Sequence, residues 1–75
     1  MPHISVKMYP GKSEAQKQQL ATEIVKDFVE LFGYGEESIS VAIEEVGAAD
    51  WKEKIYEGEI MRNPHKLYKK PGYVM

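Results

Sequence analysis

The sequence predicts an α+β fold: a β-α-β subunit with two parallel strands, a long helix on one sheet face and a short helical C-terminal extension. Three observations lead there. Apolar and polar residues alternate over His3–Met8 and again over residues 39–46, the period of half-buried strands. Between them, Glu14–Phe32 repeats apolar residues at helical spacing. Two strands joined through such a helix pair in parallel by a right-handed crossover. With 75 residues, one small domain spanning 1–75 is expected.

The first strand carries Ile4, Val6 and Met8 on one face and His3, Ser5 and Lys7 on the other. Tyr9-Pro10-Gly11-Lys12 breaks it, because Pro10 cannot donate to a ladder and Gly11 suits a turn. Ser13 and Gln16 form the pattern of a capping box, and Glu14 in the first turn suits the helix dipole. Leu20, Ile24, Phe28 and Leu31, flanked by Ala21, Val25, Val29 and Phe32, make a broad apolar stripe. At 1.5 Å per residue the helix is roughly 28 Å long. Gly33 or Gly35 ends it through a left-handed cap.

The second strand, residues 39–46, alternates Ile39, Val41 and Ile43 with Ser40, Ala42 and Glu44. Glu44 and Glu45 then point to opposite faces and cannot act as a carboxylate pair. Past the loop Gly47-Ala48-Ala49, Asp50 and Glu53 read as a second capping box, with a helix over 51–61. Asn63-Pro64 reads as the cap and first residue of a short helix over 64–69. Lys70-Pro71-Gly72-Tyr73 reads as a turn.

A domain of this size buries only about 60% of its unfolded surface. With no cysteines, disulfides and thiolate metal sites are excluded. His3 and His65 show no ligand spacing, so no metal is expected. Oligomerisation is the remaining remedy for a small core. A two-stranded parallel sheet also leaves two edges open. A homodimer that extends the sheet is therefore expected. Ten Lys+Arg against twelve Asp+Glu give a net charge of -2, which points to neither a nucleic-acid nor a membrane surface. Without a signal-peptide pattern, a cytoplasmic protein is the simplest expectation.

One residue stands out chemically. Pro2 heads the first strand, and removal of Met1 would leave it carrying the α-amino group. A secondary amine there can accept a proton or attack a carbonyl. An amine of that kind is normally too basic to be neutral near pH 7, but burial and a nearby cation both lower its pKa. Trp51 could supply an apolar wall, and Lys7, Lys12 or Arg62 could supply the charge and hold a carboxylate.

Three stretches together resemble the 4-oxalocrotonate tautomerase family. They are Met1-Pro2-His3-Ile4, the helix opening Gly11-Lys12-Ser13-Glu14-Ala15-Gln16-Lys17, and Ser38-Ile39-Ser40-Val41-Ala42-Ile43-Glu44-Glu45-Val46. The tail, Trp51 with Tyr56, Glu59 and Ile60, then Lys69-Lys70-Pro71-Gly72-Tyr73, is similar to the short dimeric phenylpyruvate tautomerase-type members. The resemblance implies a β-α-β subunit in which Pro2 is the general base of a keto–enol tautomerase. It implies a small 2-keto or enol monocarboxylic acid such as phenylenolpyruvate as substrate, and no cofactor. Lys12 matches the position of a carboxylate-gripping cation and Trp51 that of an aromatic wall, with Arg62 as a further candidate for substrate binding. Ser40 falls where hexameric members carry a second arginine, which argues against their dicarboxylate substrate. That missing cation also leaves open a non-catalytic reading, a small dimeric module that binds a ligand or partner on the same fold. A carbonyl-handling enzyme with Pro2 as nucleophile is a third reading.

Overall fold

The computed structural model describes residues 1–75 and divides into two compact units, Met1–Glu45 and Val46–Met75. The first unit holds the expected β-α-β frame. Strand β1 (His3–Met8) is followed by helix α1 (Glu14–Phe32), a 3-10 turn at Glu36–Ser38 and strand β2 (Ser40–Glu45). The strands pair in parallel, with His3 opposite Ser40, Val6 opposite Ile43 and Met8 opposite Glu45. Ile4, Val6, Val41 and Ile43 are half-buried, while His3, Ser5, Ser40, Ala42 and Glu44 are exposed. Alternation thus sorts the strands into one apolar and one polar face. Helix α1 packs on the apolar face, where Gln18 and Ala21 border Val41 and Ile43.

Local chemistry sets the ends of α1 as expected. Ser13 Oγ accepts from the Gln16 N–H at 3.1 Å, and Gln16 Oε1 accepts from the Ser13 N–H at 3.0 Å. The capping box is therefore complete. At the other end Gly33 adopts φ 74° and donates its N–H to Val29 O at 3.0 Å. That left-handed cap favours glycine. Gly11, at φ 130°, makes the turn between β1 and α1.

The apolar stripe of α1 is wider than the sheet beneath it. Ala21, Ile24, Val25, Phe28 and Val29 are half-buried, but Leu31 and Phe32 are 74% and 65% exposed. The rings of Phe28, Phe32 and Tyr34 cluster at centroid separations of 5.5 to 6.3 Å. No side chain of this unit is fully buried. Two strands and one helix offer too little surface to enclose a core.

Lys17 ties the start of α1 to the end of β2. Its ammonium lies 3.4 Å from Glu14 and 3.5 Å from Glu45, with its side chain only 16% exposed. Burial draws its pKa down, but Glu14 and Glu45 outweigh that and hold it above the ordinary 10.5. Glu44, by contrast, sits opposite Lys7 in the ladder. The two adjacent glutamates therefore serve different neighbours, as the strand period requires.

The second unit departs from expectation in four places. Its helix starts before Asp50: α2 (Ala48–Asp50) has Gly47 as its N-cap with no side-chain cap bond. Ala48 and Ala49 are strong helix formers, so the helix absorbs them. Asp50, already helical, faces Lys54 at 3.9 Å instead of capping. The chain then continues as a π-helix over Trp51–Ile60, closed by the Met61 N–H on Tyr56 O at 2.8 Å. Finally, the helix expected over 64–69 is only a 3-10 turn, Pro64–Lys66. Asn63 does not cap it. Its side chain donates backwards to Glu59 O at 2.9 Å, serving a carbonyl at the end of the π-helix. Ile55 and Tyr56 are buried, and Tyr56 packs its ring on Tyr73 with centroids 5.6 Å apart. In place of a regular turn, Gly72 marks a bend. The second strand is also one residue shorter than expected at each end; at its start the Ile39 N–H closes the 3-10 turn on Glu36 O at 3.1 Å.

Removing the Ser13 hydroxyl as Ser13→Ala is expected to lower stability by about 1 kcal/mol in urea denaturation. For Lys17, the folded pKa lies above the unfolded one. Its stabilising contribution is therefore complete below pH 10.5 and fades as pH rises through the raised value. The stability gap between the parent and Lys17→Gln should narrow when unfolding is measured at increasing pH above that point.

Candidate active site

Pro2 sits immediately ahead of β1, half-buried. Proline is tolerated at this position because it has no N–H to give to a ladder. Its carbonyl does take part: it accepts from the Ser40 N–H at 3.2 Å. The residue is thus held from its carbonyl side, and its nitrogen has no structural task. Ahead of it Met1 is 98% exposed.

Lys12 lies at the other end of the same strand. It is exposed, and with Met8, Gln16, Lys17 and Leu20 it lines a groove of about 230 Å³ beside the start of α1. Six extended residues separate the two ends, roughly 20 Å at 3.3 Å per residue. That exceeds the reach of a lysine side chain. Within one protomer Lys12 and Pro2 cannot hold the same small molecule.

Trp51 and Arg62 belong to the second unit. Trp51 is half-buried and opens the π-helix, its N–H donating to Gly47 O at 3.1 Å. Arg62 is exposed and follows the far end of that helix. The ten-residue π-helix stands between their positions in the chain.

The structure joins two residues at the head of β1 that the sequence reading kept apart. His3 Nδ1 and Ser40 Oγ are 2.6 Å from each other. Sequence alone marks His3 as a polar-face residue beside Pro2, and Ser40 as a place where a cation is missing. The signal that would have paired them is the register of the parallel ladder, which sets His3 opposite Ser40.

The chain and its β-α-β frame are similar to known proteins. The family described as "Tautomerase enzyme" matches residues 2–53. The tautomerase PptA of Cronobacter sakazakii is 42% identical over 76 residues, covering 100% of both chains. A probable tautomerase of Xylella fastidiosa is 37% identical over 73 residues, covering 97% of this chain and 89% of that one. Among solved structures, YwhB, a homologue of 4-oxalocrotonate tautomerase, superposes with a TM-score of 0.59 at 37% identity, covering 61% of this chain and 75% of that chain. DmpI from Helicobacter pylori superposes with a TM-score of 0.60 at 34% identity, covering 63% and 79%. A proline-led β-α-β frame with likeness along the whole chain has one conclusion: the protein belongs to the 4-oxalocrotonate tautomerase superfamily of enzymes.

Proposed function

We propose that this isomerase interconverts the keto and enol forms of small 2-keto monocarboxylic acids such as phenylenolpyruvate, with Pro2 as general base once Met1 is removed. The observation that carries the reading is Pro2 itself, clamped at its carbonyl by Ser40 with its nitrogen left unused by the ladder. Full-length similarity to tautomerases supports it, and that membership also sets aside the non-catalytic reading.

The reaction needs one base. The Pro2 nitrogen takes the proton of the enol hydroxyl as the C=O bond forms, and the former C=C electron pair takes a proton at the neighbouring carbon. The same protonated amine returns it there. No cofactor enters, because the substrate's own carbonyl stores the electrons. Preceding acylation by Met1 would abolish this chemistry, since an amide nitrogen has no basic lone pair.

Lys12 and Arg62 are the proposed grips for the carboxylate, and Trp51 the apolar wall that disfavours the charged amine. Lys12 stands a strand's length from its own Pro2, so the proposed site takes this lysine from a second copy of the chain. A homodimer agrees with the open sheet edges and the absence of fully buried side chains in the first unit.

Intact mass establishes whether Met1 is gone, and ketonisation of phenylenolpyruvate reports the activity. In the trimmed protein Pro2→Ala should lose at least about 100-fold in kcat, the contribution of a positioned base. Parental rates from that variant across several enol acids would rule out Pro2 as the base. Covalent trapping with borohydride and a 2-keto acid should yield no adduct, because a base forms no iminium. The composite site is tested by complementation. Pro2→Ala and Lys12→Ala chains, each impaired alone, should regain activity when unfolded and refolded together. Sites built within one protomer would show no recovery.

A further inference from the structure

Ser40 makes two contacts at the head of β1. Its N–H donates to the Pro2 carbonyl at 3.2 Å, and its Oγ lies 2.6 Å from His3 Nδ1. Either group can donate in this bond; with Ser40 Oγ–H donating to Nδ1, the ring proton sits on Nε2 and points away from Ser40. That tautomer makes the ring an oriented hydrogen-bond donor on the residue next to Pro2.

Its surroundings suit a small anion. His3 and Ser40 are both exposed, on the sheet face opposite α1. The charged groups on the same face are Lys7 and Glu44, opposite each other in the ladder. They stand four residues further along, roughly 13 Å away. On this face His3 is the residue next to Pro2 in the chain.

We infer that His3, held by Ser40, binds substrate at the Pro2 site, its Nε2–H donating to the carboxylate of the enol acid. Ser40 is a positioning residue that acts through His3 and Pro2. The inference rests on Pro2 being the general base, and it assigns the polar contact on the sheet side of that base.

The test uses the Met-trimmed full chain with phenylenolpyruvate and its methyl ester, comparing parent, His3→Ala, Ser40→Ala, Ser40→Thr and Pro2→Ala. His3→Ala is expected to raise KM for the acid about tenfold, with kcat within about threefold and KM for the ester within about twofold of parent, as loss of one hydrogen bond to a charged group implies. Ser40→Ala should move the same way by a smaller factor, because the ring remains but is no longer held. Ser40→Thr keeps the hydroxyl and should restore the parental KM. A general structural defect would weaken acid and ester alike, so equal changes for both overturn the inference, as does an unchanged acid KM. Pro2→Ala separates the two readings. If it is inactive while His3→Ala binds the acid as parent does, only the His3 assignment falls. If it turns over like parent, the base reading falls, and the acid-to-ester ratio still judges His3.

Discussion

The parallel ladder between β1 and β2, in the register that sets His3 opposite Ser40, is the constraint on which the rest of the first unit depends. Side chains alternate along each strand, so a slip of one residue would turn Ile4 and Val6 against water and His3 against the helix. The same register puts the Ser40 N–H on the Pro2 carbonyl and the Ser40 hydroxyl on the His3 ring. One geometric choice therefore selects the face that α1 covers and builds the polar cluster at the head of β1. The crossover helix keeps that choice available: a complete capping box starts it and a left-handed glycine stops it, so the two strands run the same way.

A proline at the head of a strand is a sound place for the proposed base. The ladder uses its carbonyl and asks nothing of its nitrogen. Positional accuracy thus comes from the backbone, while the atom proposed to react stays uncommitted. The cost of this economy is a frame too small to enclose a site. No side chain of the first unit is fully buried, and Leu31, Phe32 and Tyr34 lie exposed at the end of α1. Lys12 stands a strand's length from Pro2. A subunit of this kind supplies the parts of a tautomerase site at its ends, and the proposed second copy is what would bring those parts together.

Much of the frame was legible in the sequence. Alternation located both strands, and the Ser13–Gln16 spacing located the start of α1 to the residue. Gly33, the first of the two candidates, proved to be its cap. The misreadings at Asp50, Asn63 and Ile39 fall where a residue has more than one local conformation or backbone partner open to it. Asp50 has the right spacing to cap a helix, yet Ala48 and Ala49 extend the helix past it. Asn63 precedes a proline as a cap should, yet its amide turns back to the Glu59 carbonyl. Ile39 has the character of a strand residue, but its N–H goes to Glu36. Each alternative is local and close in energy, so residue type alone does not rank them. The π-helix has no simple sequence signature to set it apart from an ordinary helix.

By itself the sequence determined the elements, their order and the family chemistry. Caps, alternation and glycine conformations act over a few residues, and Pro2 can be named from its position. Only the tertiary structure decided which distant groups meet. It joined His3 to Ser40 across 37 residues, joined Lys17 to Glu45, and held Lys12 away from Pro2. The physical reason is that register and strand length belong to the paired sheet. Neither strand, read alone, contains them.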